Sequence, residues 1–172
     1  MRSVILPTPA PGPLRWTVRA TLSMFLAILP LAGSPSAQAD NKRLNDSVAI
    51  DVYIVQQQSG CAGGVKRNVQ LQRAAQWHAL DVLNNRDLDG DLGSDGSTPQ
   101  SRAAAAGYRG VVQQTVAINP ALAISGIELI NQWYYNPATL AIMQNCANTH
   151  IGVWSENSLD RTVVVAVYGN PE

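Results

Sequence analysis

Residues 87–108 read DLDGDLGSDGSTPQSRAAAAGY, and the rest of the chain is organised around them. Four of the twelve acidic residues, Asp87, Asp89, Asp91 and Asp95, fall within nine positions, interleaved with Gly90 and Gly93 and followed by Gly96. Aspartates that bond their own backbone, alternating with glycines, mark a loop. The loop runs through Ser97, Thr98 and Pro99 into an alanine-rich helix, 102–106, that stops at Gly107. A threonine just ahead of a proline is helix-start chemistry, and glycine is the commonest helix stop.

Upstream, helical spacing predicts two helices. The first covers 44–58, with a broad apolar face from Leu44, Val48, Ile50, Val52, Ile54 and Val55, and ends in the glycine-rich loop 60–64. Asn68 is the expected cap of the second, 69–84, on which His78 sits among Ala74, Ala75, Ala79 and Val82. Downstream the pattern changes. The β-branched run 111–118 predicts a strand, Asn119-Pro120 opens a helix over 121–135, and Asn136-Pro137 breaks it ahead of a short helix at 138–144. Strands at 149–155 and 161–168, joined by the polar turn 156–160, predict an antiparallel hairpin.

Residues 1–39 differ from the rest. Arg2, Arg15 and Arg19 precede an apolar run at 20–32, and Ala37-Gln38-Ala39 follows, which is the order of a secretory signal peptide cleaved before Asp40. The apolar run is about a dozen residues against the roughly 20 that span a bilayer, so no stable membrane anchor is expected. The leader carries three of the twelve basic residues and none of the twelve acidic ones, which leaves nine against twelve, a net of −3, in residues 40–172. That balance argues against nucleic acid as a partner. A secreted or extracellular location makes Cys61 and Cys146 a candidate disulfide, with two buried thiols as the alternative.

The order of these segments resembles the CAP superfamily of cysteine-rich secretory, antigen 5 and pathogenesis-related-1 proteins, also called SCP domains. The resemblance is carried by residues 75–82 (AQWHALDV), 93–99 (GSDGSTP) with Arg102, Gly107-Tyr108, Trp133, and 149–153 (THIGV). It covers about 44–169 and implies an α+β fold, an α-β-α sandwich with a small antiparallel sheet between helical layers. The resemblance also exposes departures. Where short bacterial members carry cleft histidines and a glutamate, this chain has Asp91, Gln114 and Thr139. Imidazole is the usual ligand for zinc or copper, so the metal site of the intact family cleft is not expected, and neither is a cofactor.

Three functional expectations follow. The first is a non-enzymatic extracellular module that binds a lipid, an envelope component or a protein through a cleft presenting Asp91, Gln114, Thr139 and His150. The second is a domain stabilised by calcium at Asp87, Asp89 and Asp91, whose 1-3-5 spacing suits a hard cation. Leu92 and Thr98 stand where the EF-hand pattern needs Gly and Glu, so that motif is not matched. The third is a residual hydrolase using His150 with Glu128 or Asp91. Neither Ser94 nor Ser125 sits in a G-x-S-x-G frame. His78 and the aromatics Trp77, Trp133, Tyr134, Tyr135 and Trp154 read first as packing residues.

Overall fold

Residues 163–168, VVVAVY, are apolar at every position, the pattern of a strand covered on both faces. A computed structural model describes Gly12 and residues 35–172, and the expected leader, 1–39, lies outside the described residues except for Gly12 and its last five. The apolar run is the middle of strand β4 (Arg161–Pro171). Alternation sends Val163, Val165 and Val167 to one face, and Val164, Ala166 and Tyr168 to the other.

β4 lies between β3 (His150–Ser158) and β2 (Gly110–Asn119), antiparallel to both. The hairpin turn joining β3 to β4 is Leu159-Asp160, with Ser158 opposite Arg161, shorter than the polar stretch 156–160 suggests. A two-residue strand, β1 (Lys66–Arg67), pairs parallel with β3, so the four-stranded sheet is mixed rather than wholly antiparallel. Two residues are too few to show a period, which is why the sequence does not announce β1. The free edge of β2 is covered. Gln100 donates to the Gly110 carbonyl (3.0 Å) and accepts from the Val112 amide (3.1 Å), and the Trp133 indole donates to the Val116 carbonyl (3.2 Å).

Helices cover both faces. Against the Val164 face lie α1 (Pro35–Gln58), α4 (Gly126–Tyr134) and α5 (Pro137–Gln144), which bury Val48, Val52, Leu129, Trp133 and Met143. Against the Val163 face lie α2 (Val69–Asn84) and α3 (Pro99–Ala105), with Leu71, Ala75, Val82 and Ala103 inside. The result is the α-β-α sandwich expected from the sequence. Among the described residues no helix is long and apolar enough to cross a membrane. Cys61 and Cys146 form a disulfide, with Cα atoms 5.2 Å apart and 85 residues of separation.

The caps explain most helix boundaries. Asn68 accepts from the Gln70 and Leu71 amides, and Thr98 and Ser101 form a reciprocal capping box. The helix expected over 121–135 begins only at Gly126. Ser125 caps it by accepting from the Glu128 amide (3.1 Å), and the preceding carbonyls take other donors: Ala121 from Thr162, Leu122 from Asn157 and Ala123 from Asn119. Carbonyls held from the side by β4, β3 and β2 residues cannot join a helical ladder.

Gly152 in β3 is where the α2 backbone meets the sheet. A Cβ at this position would fall inside the van der Waals envelope of Leu71 and Gln72 backbone atoms. Gly152→Ala is expected to destabilise the fold by about 3 kcal/mol or more, read from urea denaturation. Gly63→Ala, where an added Cβ meets nothing within 4 Å, serves as the control and is expected to stay within about 0.5 kcal/mol of the parent.

Candidate functional site

Two buried cations hold the loop between α2 and α3: Arg161 of β4 donates to the Arg86 (3.3 Å) and Leu88 (3.1 Å) carbonyls at its start, and Arg102 organises the rest. Arg102, in α3, is only 6% exposed. Its Nη1 donates to the Ser97 carbonyl (2.8 Å) and hydroxyl (3.1 Å), and its Nη2 donates to the Asp91 carbonyl (2.8 Å) and Gln114 Oε1 (3.1 Å). Gln114 Nε2 in turn donates to Asp91 Oδ1 (3.0 Å). Two of the sequence candidates, Asp91 and Gln114, are therefore brought together, but as partners of each other and of Arg102. Four of the five guanidinium N–H groups are used, and the buried Nε has no protein partner. Burial draws the pKa of Arg102 down, opposed by the charges of Asp91, Asp95 and Asp81.

A second anchor comes from α2. Asp81 Oδ2 accepts from the Ser94 amide (2.8 Å), and Oδ1 accepts from the Ser94 hydroxyl (2.6 Å) and Asn85 (2.8 Å). Burial alone would raise the pKa of Asp81, but these bonds outweigh it and hold the carboxyl below its ordinary value. Asp95 is held below its ordinary pKa by the Ser97 side chain first and by the Ser97 amide (2.8 Å) second. His78, one turn before Asp81, is fully buried, with Nε2 at 2.8 Å from the Gly90 carbonyl. A carbonyl only accepts, so the proton sits on Nε2, and burial keeps the ring neutral. Its Nδ1 is then a buried acceptor with no protein partner.

Between α2 and α3 these groups wall a cleft of about 460 Å³, lined among others by Trp77, His78, Asp81, Asp95, Ser97 and Arg102. Trp77, at 41% exposure, is the aromatic that opens onto it. The other aromatics do not converge there. Trp133 is buried on the opposite face of the sheet, Trp154 donates to Glu156 (2.7 Å), and Tyr134 and Tyr135 meet edge to face on the surface.

The remaining candidates are dispersed. The Thr139 hydroxyl donates to the carbonyls of Trp133 (2.6 Å) and Asn136 (3.1 Å), closing the α4–α5 junction. Glu128 is exposed on α4, beside a shallow depression with Ser125, Asn131 and Tyr135. His150 Nδ1 lies 3.1 Å from the Tyr108 hydroxyl. Among the described residues no hydrogen bond joins Thr139, Glu128 or His150 to Asp91 or Gln114. No group of three or more His, Cys, Asp or Glu side chains is arranged to hold a metal among them either. Asp87, Asp89 and Asp91 thus do not converge as a calcium loop would. Asp91, Gln114 and Thr139 do not supply the donor set of an imidazole-ligated metal.

A solved outer surface protein from Borrelia burgdorferi matches over 77% of this chain and 96% of its own, with TM-score 0.67 and 15% identity. An extracellular protein containing an SCP domain from Bacillus anthracis matches over 80% of this chain, with TM-score 0.67 and 12% identity. The chain has the SCP fold. A cysteine-rich secretory protein from Staphylococcus aureus matches over 74% of the chain, with TM-score 0.56 and 12% identity. This SCP fold spans 44% and 38% of the Bacillus and Staphylococcus proteins. No protein-family model and no curated protein matches the sequence. At these identities the likeness concerns the fold, and the function rests on the residues themselves.

Sequence reasoning did not place Arg102 or Asp81 beside the cleft, and it read Trp77 first as a packing residue. Arg102 stood in the quoted stretch, but only as a marker of the resemblance. Arg102→Lys is expected to destabilise the protein by about 3 kcal/mol, because an ammonium cannot span the four acceptors of the fork. Urea denaturation checks the loss, and proteolysis confined to residues 87–98 checks that the loop is what loosens. Asp81 adds a pH dependence. A carboxyl with a lowered folded pKa stabilises above its unfolded value and loses that contribution as pH falls through its folded value. Loop stability is expected to be flat from pH 7 to about 5 and to fall below about pH 4, with the acid limb reduced in Asp81→Asn. The Ser94 amide shift reports it by NMR.

Proposed function

We propose that this SCP fold is a secreted, non-enzymatic binding module and that its ligand occupies the cleft between α2 and α3. The observation that carries the reading is the fixed wall of the cleft. Loop 87–98 is tied to α3 through Arg102, to β2 through Gln114 and to α2 through Asp81. A wall ordered before the ligand arrives saves the ordering cost at binding. The spare capacity of the cleft suits binding rather than bond cleavage. The Ser94 hydroxyl donates to the Asp81 carboxylate and His78 Nε2 donates to the Gly90 carbonyl, so among the described residues of the cleft no serine is paired with a histidine. His150, the histidine of the hydrolase alternative, is engaged with Tyr108 instead of Glu128 or Asp91. The expected leader, the Cys61–Cys146 bond and the surface or extracellular character of the matched proteins support an extracellular location.

The test uses thermal melts of residues 40–172 with cell-envelope extract divided into lipid and water-soluble fractions. A ligand that binds only the folded state adds RT ln(1 + [L]/Kd), about 2.7 kcal/mol at a hundredfold excess over Kd. One fraction is expected to raise the melting temperature of the parent and of His150→Ala, and to lose that effect in Trp77→Ala. No shift with any fraction, or a shift that survives Trp77→Ala, counts against the cleft.

A further inference from the structure

We propose that the Asp89–Gly90 peptide is a self-modification site, where the aspartyl linkage isomerises to a β-linked isoaspartyl linkage and thereby releases the first tie between loop 87–98 and α2. The reaction belongs to the loop itself and needs no ligand in the cleft. Its chemistry is that of an aspartate followed by a glycine, which has no Cβ to hinder attack by its amide. The glycine nitrogen attacks Cγ of the protonated carboxyl, gives up its proton to solvent and expels the carboxyl hydroxyl as water. The product is a five-membered succinimide, its nitrogen bonded to both Cγ and the α-carbonyl carbon. Water then adds to one of these carbonyls. Opening at Cγ restores the original chain. Opening at the α-carbonyl breaks the old peptide bond and leaves the chain running through Cβ and Cγ, with a free α-carboxylate. One water leaves and one enters, so mass and redox state are unchanged.

Two aspartates of the chain precede a glycine, Asp89 and Asp95, and both lie in this loop. The fold treats them differently. At Asp95 both reacting groups are held. The Gly96 amide donates to the Gly93 carbonyl (2.9 Å), and Asp95 Oδ1 accepts from the Ser97 amide (2.8 Å). The Ser97 side chain and amide keep this carboxyl below its ordinary pKa, in the anionic form that an amide nitrogen does not attack. At Asp89 neither group is held. Asp89 is exposed, and among the described residues no hydrogen bond uses its carboxylate, its carbonyl or the Gly90 amide. The space beside Gly90 is open as well, since a Cβ there would meet nothing within 4 Å. The 89–90 peptide plane therefore turns toward the carboxyl without breaking a hydrogen bond. Asp87 and Asp91 are each followed by a leucine, whose side chain hinders the same attack.

The carbonyls on either side of this free peptide are pinned by buried side chains. The Leu88 carbonyl accepts from Arg161 Nη2 (3.1 Å), and the Gly90 carbonyl accepts from His78 Nε2 (2.8 Å). A β-linkage lengthens the backbone between them by one atom, so one of the two must move off its donor. The Leu88 side is fixed more firmly, because Arg161 also holds the Arg86 carbonyl (3.3 Å) and the Leu88 amide donates to Asn85 (3.1 Å). Gly90 has the single bond to His78, so Gly90 is the residue displaced. The buried His78 Nε2 proton is left without its acceptor, which costs the loop its seat on α2 at that point. The bonds of Asp81 to Ser94 and of Arg102 to Ser97 lie further along and are kept. The wall of the cleft thus carries a chemical limit on its lifetime at its first anchor.

The experiment ages the folded protein, residues 40–172, at physiological temperature in mildly acidic buffer, alongside a sample unfolded in urea. Trypsin then releases residues 87–102 as one peptide, and electron-transfer fragmentation reads the β-linkage at both Asp-Gly sites together. In the folded protein the linkage is expected to build up at Asp89 at least about tenfold faster than at Asp95, whose hydrogen bonds must open first. In urea the two rates are expected to agree within about twofold, because only the fold separates them. Asp89→Glu keeps the charge but closes a six-membered ring far less readily, and it is expected to stop the modification with an unchanged melting temperature. Protein carrying the β-linkage, separated by chromatography, is expected to exchange the His78 Nε2 proton at least about tenfold faster than the unaged protein, with the Ser94 amide shift retained. Equal rates at the two sites in the folded protein, a linkage at Asp95 alone, or none at Asp89 while the urea sample reacts, overturns the assignment. Unchanged His78 exchange in the modified protein overturns the released tie.

Discussion

The contact on which the rest of the molecule depends is the approach of the α2 backbone to β3 at Gly152. No side chain stands between helix and sheet there, so α2 rests directly on the strand. This close seat fixes the height and rotation of a helix that carries Trp77 and Asp81 toward the cleft and His78 on its buried side. Leu71, Ala75 and Val82 fill the space on either side against Val163, Val165 and Val167. Small residues on α2 and β-branched residues on β4 complement one another in this arrangement, as close-packed interiors require. The helix cannot shift without opening that core, and the groups on its exposed side are therefore fixed in space before any loop is considered.

The loop then takes its shape from two charges of opposite sign placed on different helices. Asp81 captures Ser94 from α2, and Arg102 captures Ser97 and Asp91 from α3. A buried guanidinium with four acceptors is costly to desolvate, and the bonds to backbone carbonyls compensate for that cost. An acid-rich segment, which by composition alone would be a solvated turn, becomes a wall with defined carboxylate positions. Ser94, His78 and Gln114 are all engaged in holding the wall.

Much of the architecture could be read from residues with strong local signals. Asn68, Thr98-Pro99 and Gly107 marked helix ends because capping is local chemistry, and the β4 run was unmistakable because every position is apolar. The disulfide followed from an even pair of cysteines in a chain whose first 39 residues have the order expected of an export signal. The features that escaped are those set by distant partners. The delayed start of α4 depends on Asn157 and Thr162, far along the chain, holding carbonyls of residues 121–122. β1 is too short to show alternation. The hydrogen-bond partners of the candidate residues were hidden for a related reason. Thr139, Glu128 and His150 were plausible by type, but each is occupied locally, whereas the pairing of Asp81 with Ser94 thirteen residues away leaves no periodic trace in the sequence. Asp91 and Gln114 lie together, bonded to each other and to Arg102.

The central claim is that the wall of the cleft exists before any ligand arrives. Amide hydrogen exchange of the ligand-free protein, residue by residue across 87–98, tests it most directly. The amides of Gly93, Ser94, Gly96 and Ser97 each have a protein acceptor, at 2.8 to 2.9 Å, so they are expected to exchange far more slowly than an unstructured chain although the loop is on the surface. Exchange of all four at the unstructured rate would mean that the loop is not held, and a preformed cleft between α2 and α3 would be contradicted.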